Sequence, residues 1–205
     1  MKPIKKFAVT WVLLFISFPL ISNSSIRRDS IGRKMNIDMK MLDADFAMPT
    51  NFTELDSGRR FPCGDYKITS SMTYTIVNKD STVRIGFSVH GYPSEKSLER
   101  YKKQYARLDP NTNYIRIAKN RADTIRHKLV IYEKALLKPF NADGGGEYTR
   151  NCTLPYEDQY PYHRVIFIHK KNRGDVEITY FYKESAKDGI DEIVNKTAGL
   201  IEYRD

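Results

Sequence analysis

The sequence predicts an α+β protein: an antiparallel sheet of three hairpin-like strand pairs with helices packed on its faces. The runs Tyr162–His169 and Asp175–Tyr182 are β-branched and aromatic, and Asn172-Arg173-Gly174 between them has the turn chemistry of a hairpin. An apolar stripe at helical spacing follows, which predicts a C-terminal helix lying across the sheet. The stripe consists of Ile190, Ile193, Val194, Thr197, Ala198 and Ile201.

Two further strand pairs and one helix are predicted upstream. Tyr66–Val77 and Thr82–Val89 form one pair, because apolar and polar residues alternate along the second run. Tyr114–Ile117 and Thr124–Tyr132 are expected to form the other pair. Between the two pairs, Ser94 is a favourable N-cap for a helix that runs to about Leu108.

The first 24 residues are predicted to be an export signal. Lys2, Lys5 and Lys6 precede the uncharged run Phe7–Ile21, which is short for a membrane span of about 20 residues. We therefore expect cleavage near Ser24 and a mature protein in the periplasm, at the cell surface or in the medium, without an integral membrane span. Retention of the run as an uncleaved anchor is the alternative.

The rest of the chain is expected to be one domain behind a basic linker. Residues 25–44 are rich in lysine and arginine and show no clear apolar period, which is typical of a linker or mobile arm. Residues 45–205 have the size of a single domain. Of the 34 lysines and arginines, three lie in the signal, and all 25 acidic residues follow it, so the mature net charge is +6. This charge favours anionic surfaces without identifying a partner.

The two cysteines, Cys63 and Cys152, are predicted to form a disulfide bond, because an oxidising compartment favours pairing. Closing a loop of this length contributes about 4–5 kcal/mol in the chain-entropy model. Two separate small core residues are the alternative. No Cys-x-x-Cys pair indicates a metal or redox site.

No residue pattern indicates catalysis, a metal or a cofactor, and the protein is predicted not to be an enzyme. The histidines form no His-Glu-x-x-His or His-x-His motif; they are His90, His127, His163 and His169. There is no Gly-x-Ser-x-Gly motif. Gly144–Gly146 is followed by Glu147 instead of lysine, so we interpret Asn141–Gly146 as a flexible loop and not as a phosphate-binding loop.

Aromatic and basic residues near the end of this loop are predicted to form a contact surface, because tyrosine offers a large area with a polar tip. The contact residues are Tyr148, Arg150, Tyr156, Tyr160, Tyr162 and Arg164. The alternative is that they are ordinary half-buried aromatics of the sheet and loop. No nucleic acid partner is expected, since the basic residues are not gathered in one stripe of the sequence.

The segment Asp45–Phe52 reads Asp-Phe-Ala-Met-Pro-Thr-Asn-Phe, a short strand that runs into Pro49. It resembles the opening of PsbP-like domains, and the last hairpin with Ile190–Ile201 resembles their end. The resemblance spans about Asp45 to Tyr203. It implies an antiparallel sheet with helices on its faces in a non-enzymatic accessory, chaperone-like or exported protein, and it implies no catalytic residues.

These patterns predict an exported accessory or binding protein that engages a protein partner or a small ligand through residues 141–162 and the adjoining sheet surface. A secreted enzyme of unrecognised class is one alternative, and an inhibitor or immunity-type protein is another. Site geometry distinguishes binding from catalysis. Polar groups with perturbed pKa values converging in a pocket favour catalysis, whereas an exposed aromatic patch favours protein binding.

Overall fold

The computed structural model describes residues 23–55, 60–62, 69–92, 94–122, 129–150, 155–157 and 159–205. Its helices are α1 (Asn23–Leu42), α2 (Glu95–Gln104), α3 (Asn113–Arg121), α4 (Lys134–Leu137) and α5 (Ile190–Lys196). Its strands are β1 (Ala44–Phe46), β2 (Phe52–Glu54), β3 (Arg60–Pro62), β4 (Thr69–Ser71), β5 (Tyr74–Asn78), β6 (Val83–Gly91), β7 (Val130–Ile131), β8 (Gly144–Tyr148), β9 (Tyr162–Lys170), β10 (Gly174–Tyr182) and β11 (Ile201–Tyr203). The predicted α+β class is confirmed.

Seven strands form the central sheet in the order β2-β5-β6-β10-β9-β8-β7, and every neighbouring pair is antiparallel. The small sheets β1-β11 and β3-β4 are also antiparallel. No helix among the described residues is long and apolar enough to cross a membrane. Cys63, Cys152 and residues 1–22 of the predicted export signal lie outside the described residues, so the disulfide and the export signal stay predictions.

Two of the three predicted hairpins are confirmed, as β5–β6 and β9–β10. In the first turn, the side chain of Asn78 accepts hydrogen bonds from the amides of Thr82 and Val83, both at 2.9 Å. In the second, Asn172 and Gly174 have φ values of 63° and 136°, and glycine and asparagine adopt this left-handed region most readily. Local turn chemistry therefore fixes both hairpins.

The third predicted pair is wrong, because residues 113–121 form helix α3 instead of a strand. Tyr114, Ala118 and Ala122 recur at i, i+4 and i+8 and belong to a cluster packed on β9. The third strand pair is instead β7–β8.

The predicted flexible loop over Asn141–Gly146 also differs from the structure, because Gly144–Gly146 begin strand β8, and all three glycines are buried. A Cβ atom on Gly145 would lie 2.6 Å from the backbone oxygen of Phe167 and 3.0 Å from Leu137. The glycines therefore permit close packing of neighbouring strands and helices; they do not provide slack.

Helix α1 packs on one face of the central sheet. Met35, Met39 and Leu42 recur at i, i+4 and i+7, are at most 4% exposed, and join the main hydrophobic cluster. Most of residues 25–44, predicted to be a linker, are therefore helical, and Met35, Met39 and Leu42 pack into the core. Arg33 and Lys34 before this stripe, Lys40 within it, and the apolar Ile37 and Met41 outside it obscured the period in the sequence.

The C-terminal helix is confirmed but is shorter than predicted. Helix α5 ends at Lys196, and Gly199 follows with φ 84°, a conformation that ends helices. Ile201, predicted to lie on the helix, is in β11 and pairs with Phe46 of β1. Ile190 and Val194 still bury the helix against the sheet, on the same side as α1.

Candidate functional site

Four of the six predicted contact residues are buried and do not form a surface. Tyr148, Arg150, Tyr156 and Tyr160 are between 1% and 3% exposed. They do not form the predicted aromatic contact surface, because their side chains are engaged within the fold. Tyr162 and Arg164 are half-buried.

Tyr148 and Arg150 belong to a buried ionic network around Glu177 of β10. Oε1 of Glu177 accepts a hydrogen bond from the Tyr148 hydroxyl at 2.9 Å, and Oε2 accepts from Arg150 at 2.8 Å and from Arg121 at 2.5 Å. Burial raises the pKa of Glu177, but the guanidinium groups of Arg150 and Arg121 outweigh burial and hold this pKa below its ordinary value. The network attaches helix α3 and the segment that follows β8 to strand β10.

Tyr156 and Tyr160 attach the segment before β9 to the face of the sheet opposite α1 and α5. The Tyr156 ring stacks on Phe181 with centroids 4.2 Å apart. The Tyr160 hydroxyl donates to the Ser81 carbonyl at 3.0 Å, and the guanidinium of Arg84 lies 4.9 Å from the Tyr160 ring centroid. Removing either ring would leave a cavity under this segment, so both tyrosines are core residues.

Arg164 lies on the other face, in a cleft between β8, β9 and α5. Its Nε donates to Glu147 at 2.9 Å, and its Nη1 donates to Asp191 at 2.5 Å. Asp191 has an 82% exposed side chain, so its pair with Arg164 is screened by solvent and exchangeable. The cleft has a volume of about 470 Å³, and Val130 of β7 and Tyr182 also line it.

Strand β7 is the outermost strand of the central sheet next to this cleft, and no strand among the described residues lies beyond it. Val130 is 44% exposed and Ile131 is 51% exposed, while Leu136 of the following helix α4 is 55% exposed. We call these three residues the β7 edge. The other large exposed hydrophobic side chains of the described residues are on separate elements; they are Ile37, Met48 and Tyr105.

The backbone of β7 offers hydrogen-bonding groups to a further strand. The amide of Tyr132 donates to the Gly145 carbonyl at 3.0 Å. Because consecutive amides of an antiparallel strand point to opposite sides, the amide of Ile131 points away from β8. An open edge with apolar side chains can accept an extended polypeptide segment by main-chain pairing. The sequence placed Val130 and Ile131 in a strand but gave no signal of their edge position.

A second cleft, of about 460 Å³, lies between the sheet and helices α2 and α3 and contains His90, Tyr92, Arg121 and Asp175. Burial, with the neighbouring Tyr101 and the charge of Asp175, raises the pKa of Tyr92. The charged groups here are engaged in the fold: Arg121 donates to Glu177, and Asp175 lies 3.4 Å from His169 Nδ1. This cleft therefore gives weaker support for a functional site than the β7 edge does.

His163 and His169 also have structural contacts. His163 Nε2 lies 2.9 Å from the Arg150 carbonyl oxygen, and the His169 ring stacks on Tyr114 at 4.4 Å. In the part of the chain that the structure describes, no three His, Cys, Asp or Glu side chains are grouped to hold a metal ion. His127 lies outside the described residues.

Comparison with known proteins identifies no relative: no family model, curated protein or solved structure matches the chain. The resemblance to PsbP-like domains stays a prediction.

Proposed function

We propose that the protein is an exported, non-enzymatic accessory protein that binds an extended segment of another protein along the β7 edge. The observation that carries the proposal is the outer edge of β7, which no strand of the described residues covers and beside which Val130, Ile131 and Leu136 are exposed. The exported location rests on the basic and apolar sequence of residues 1–24.

Pairing of β7 with the main chain of a partner explains why this edge strand is apolar. Proteins usually protect an edge strand with charge, proline or a covering segment, yet the two residues of β7 are both apolar. Covering a fully exposed aliphatic side chain stabilises a complex by about 1.5–3 kcal/mol. The half-exposed side chains of the β7 edge therefore supply about 1 kcal/mol each when a partner covers them.

The adjacent cleft supplies selectivity in this proposal. Val130 belongs both to the β7 edge and to the cleft that holds Arg164. The exposed Asp191 is a weak partner for Arg164, so a carboxylate on the incoming segment exchanges with Asp191. The proposed partner segment is therefore extended, apolar where it meets Val130 and Ile131, and acidic where it meets Arg164.

Capture of the partner from the envelope or secreted fraction, followed by binding measurements with edge variants, tests this function. Ile131→Pro removes the outward amide but is tolerated at a strand edge, so it is expected to weaken binding about tenfold or more while the fold remains intact. Ile131→Val keeps the amide and an apolar side chain and is the matched control. Equal affinity of the proline variant and the wild type would refute pairing along β7, as would capture of only a second copy of this chain.

A further inference from the structure

The positive charge of the protein is concentrated in the layer formed by α2, α3 and their connection. Residues 94–122 hold eight lysines and arginines and three acidic residues, a net charge of +5. Residues 23–205 have a net charge of +6, because three of the 34 basic residues and none of the 25 acidic residues precede them. The remainder of residues 23–205 thus carries a net charge of only +1.

Helix α2 directs a row of cations to solvent. Lys96, Arg100 and Lys103 recur at i, i+4 and i+7 on the helical face opposite the buried Leu98, and all three are exposed. Within the described residues, none of the three has an ion-pair partner, whereas Lys102 pairs with Glu99. The basic residues do not form a stripe along the sequence, but the helical periodicity of residues 95–104 brings three of them into one row.

Helix α3 carries two further exposed cations. Arg116 and Lys119 lie on its exposed side, three residues apart, while Ala118 is buried. The two helices are joined where Asn113 of α3 donates to the Tyr101 hydroxyl of α2 at 3.3 Å. We define Lys96, Arg100, Lys103, Arg116 and Lys119 as the basic layer.

We propose that the basic layer docks the protein on an anionic lipid surface, independently of the β7 edge. Long flexible cations on the outer sides of two helices suit a planar array of anionic headgroups. Tyr101 of α2 and the C-cap residue Tyr105 lie on the Leu98 side of the helix, so the row that faces solvent is purely cationic. Single-stranded nucleic acid binding uses aromatic platforms between the cations, and the row on α2 has none.

The size and salt dependence of this attachment follow from the charge count. Each basic residue near an anionic surface contributes about fivefold to binding, so loss of three contributes about 100-fold. The attraction is screened beyond about 8 Å at physiological ionic strength and about 3 Å at 1 M salt. The attachment is therefore reversible and sensitive to salt.

Vesicle flotation with the full chain tests the proposal. The protein is mixed with vesicles of phosphatidylcholine, either pure or containing about 30% phosphatidylserine. The measured quantity is the partition coefficient on the anionic vesicles divided by that on the neutral vesicles. This ratio reports the charge effect alone, because the apolar run Phe7–Ile21 is common to every variant and contributes to both coefficients. The layer variant is Lys96→Gln with Arg100→Gln and Lys103→Gln. The control variant, Lys79→Gln with Lys134→Gln and Lys138→Gln, neutralises three exposed lysines outside the layer.

The layer variant is expected to lower the ratio about 100-fold, whereas the control variant is expected to change it less than about threefold. In 1 M salt, the preference of the wild type for anionic vesicles is expected to disappear. Equal losses in both variants, or equal wild-type binding to both vesicle types, would overturn the proposal. Tighter binding to a single-stranded oligonucleotide, lost in the layer variant, would also overturn it. If the triple variant folds poorly, the single variants Arg100→Gln and Lys103→Gln are measured instead. Each is expected to lower the ratio about fivefold.

Discussion

Arg150 and Glu177 form a buried ion pair, in which Nη2 of Arg150 lies 2.8 Å from Oε2 of Glu177. The Arg150 side chain is fully buried, and that of Glu177 is 7% exposed. Arg121 donates to the same carboxylate oxygen. One carboxylate thus holds two guanidinium groups, and through them helix α3 and the segment that follows β8, against β10. Arg150 is therefore a structural residue.

Glu177→Gln is expected to destabilise the protein by about 3–5 kcal/mol, because it leaves two guanidinium groups in the buried network without their counter-charge. The free energy of unfolding in urea measures this loss. Glu202→Gln, on an exposed position of β11, is the control and is expected to change stability by less than about 0.5 kcal/mol. Equal, small effects of both changes would show that the network does not support the fold.

The Glu177 carboxylate also makes stability depend on pH. Its pKa lies below the ordinary value of 4.5 in the folded protein, so the unfolded chain binds this proton more readily. Its stabilising contribution is complete above a pH of about 4.5 and is lost as the pH falls through the lower folded pKa. The difference in unfolding free energy between wild type and Glu177→Gln should therefore shrink with acidification below about pH 4.5. A difference independent of pH would contradict the assignment.

Met39→Ala is expected to cost about 2–4 kcal/mol, because the side chain is 4% exposed and packs α1 into the core. Ile37→Ala, two residues earlier on the same helix but 57% exposed, is expected to cost less than about 0.5 kcal/mol. Chemical denaturation of the two variants measures the contrast. Similar small losses would mean that α1 is dispensable for the fold.

Gly145→Ala is expected to destabilise the protein by about 2 kcal/mol or more, since its Cβ atom would lie 2.6 Å from the Phe167 backbone oxygen. Thermal unfolding measures the effect. Gly189→Ala is the matched control, because the nearest atom to its added Cβ, the Ala186 oxygen, is 4.0 Å away. If the two variants melt together, the glycines of β8 are not required for packing.

Asp191→Asn is expected to strengthen partner binding severalfold, because it frees Nη1 of Arg164 for a carboxylate of the partner. Titration of the captured partner's segment into each variant measures the change. Asp188→Asn removes the same charge from a nearby exposed position and should leave the affinity within about twofold. Unchanged or weaker binding by Asp191→Asn would exclude Arg164 from the contact.

The predictable parts of this fold are those with local causes. The hairpins β5–β6 and β9–β10 follow from strand alternation and from the turn chemistry of Asn78, Asn172 and Gly174. The short run Tyr114–Ile117 also suits a strand, yet residues 113–121 form helix α3. Its true face, with Tyr114 and Ala118, depends on packing against β9, which the local sequence does not encode.

The candidate site depends on non-local features to a greater extent. Tyrosine suits both a core and a surface, so the sequence did not distinguish the buried Tyr148, Tyr156 and Tyr160 from contact residues. The edge position of Val130 and Ile131 depends on strand order across the whole sheet. Three glycines in succession, likewise, carry no strand preference, and only their neighbours explain why β8 forms there.

Hydrogen exchange at two adjacent backbone amides of the isolated protein tests most directly whether the outer edge of β7 is open. The Tyr132 amide donates to the Gly145 carbonyl and is expected to be protected. The Ile131 amide points away from β8 and is expected to exchange at least about tenfold faster, and to gain protection only when a partner segment binds. Protection of Ile131 equal to that of Tyr132 in the isolated protein would show that the chain itself covers the edge, and would contradict the proposed binding surface.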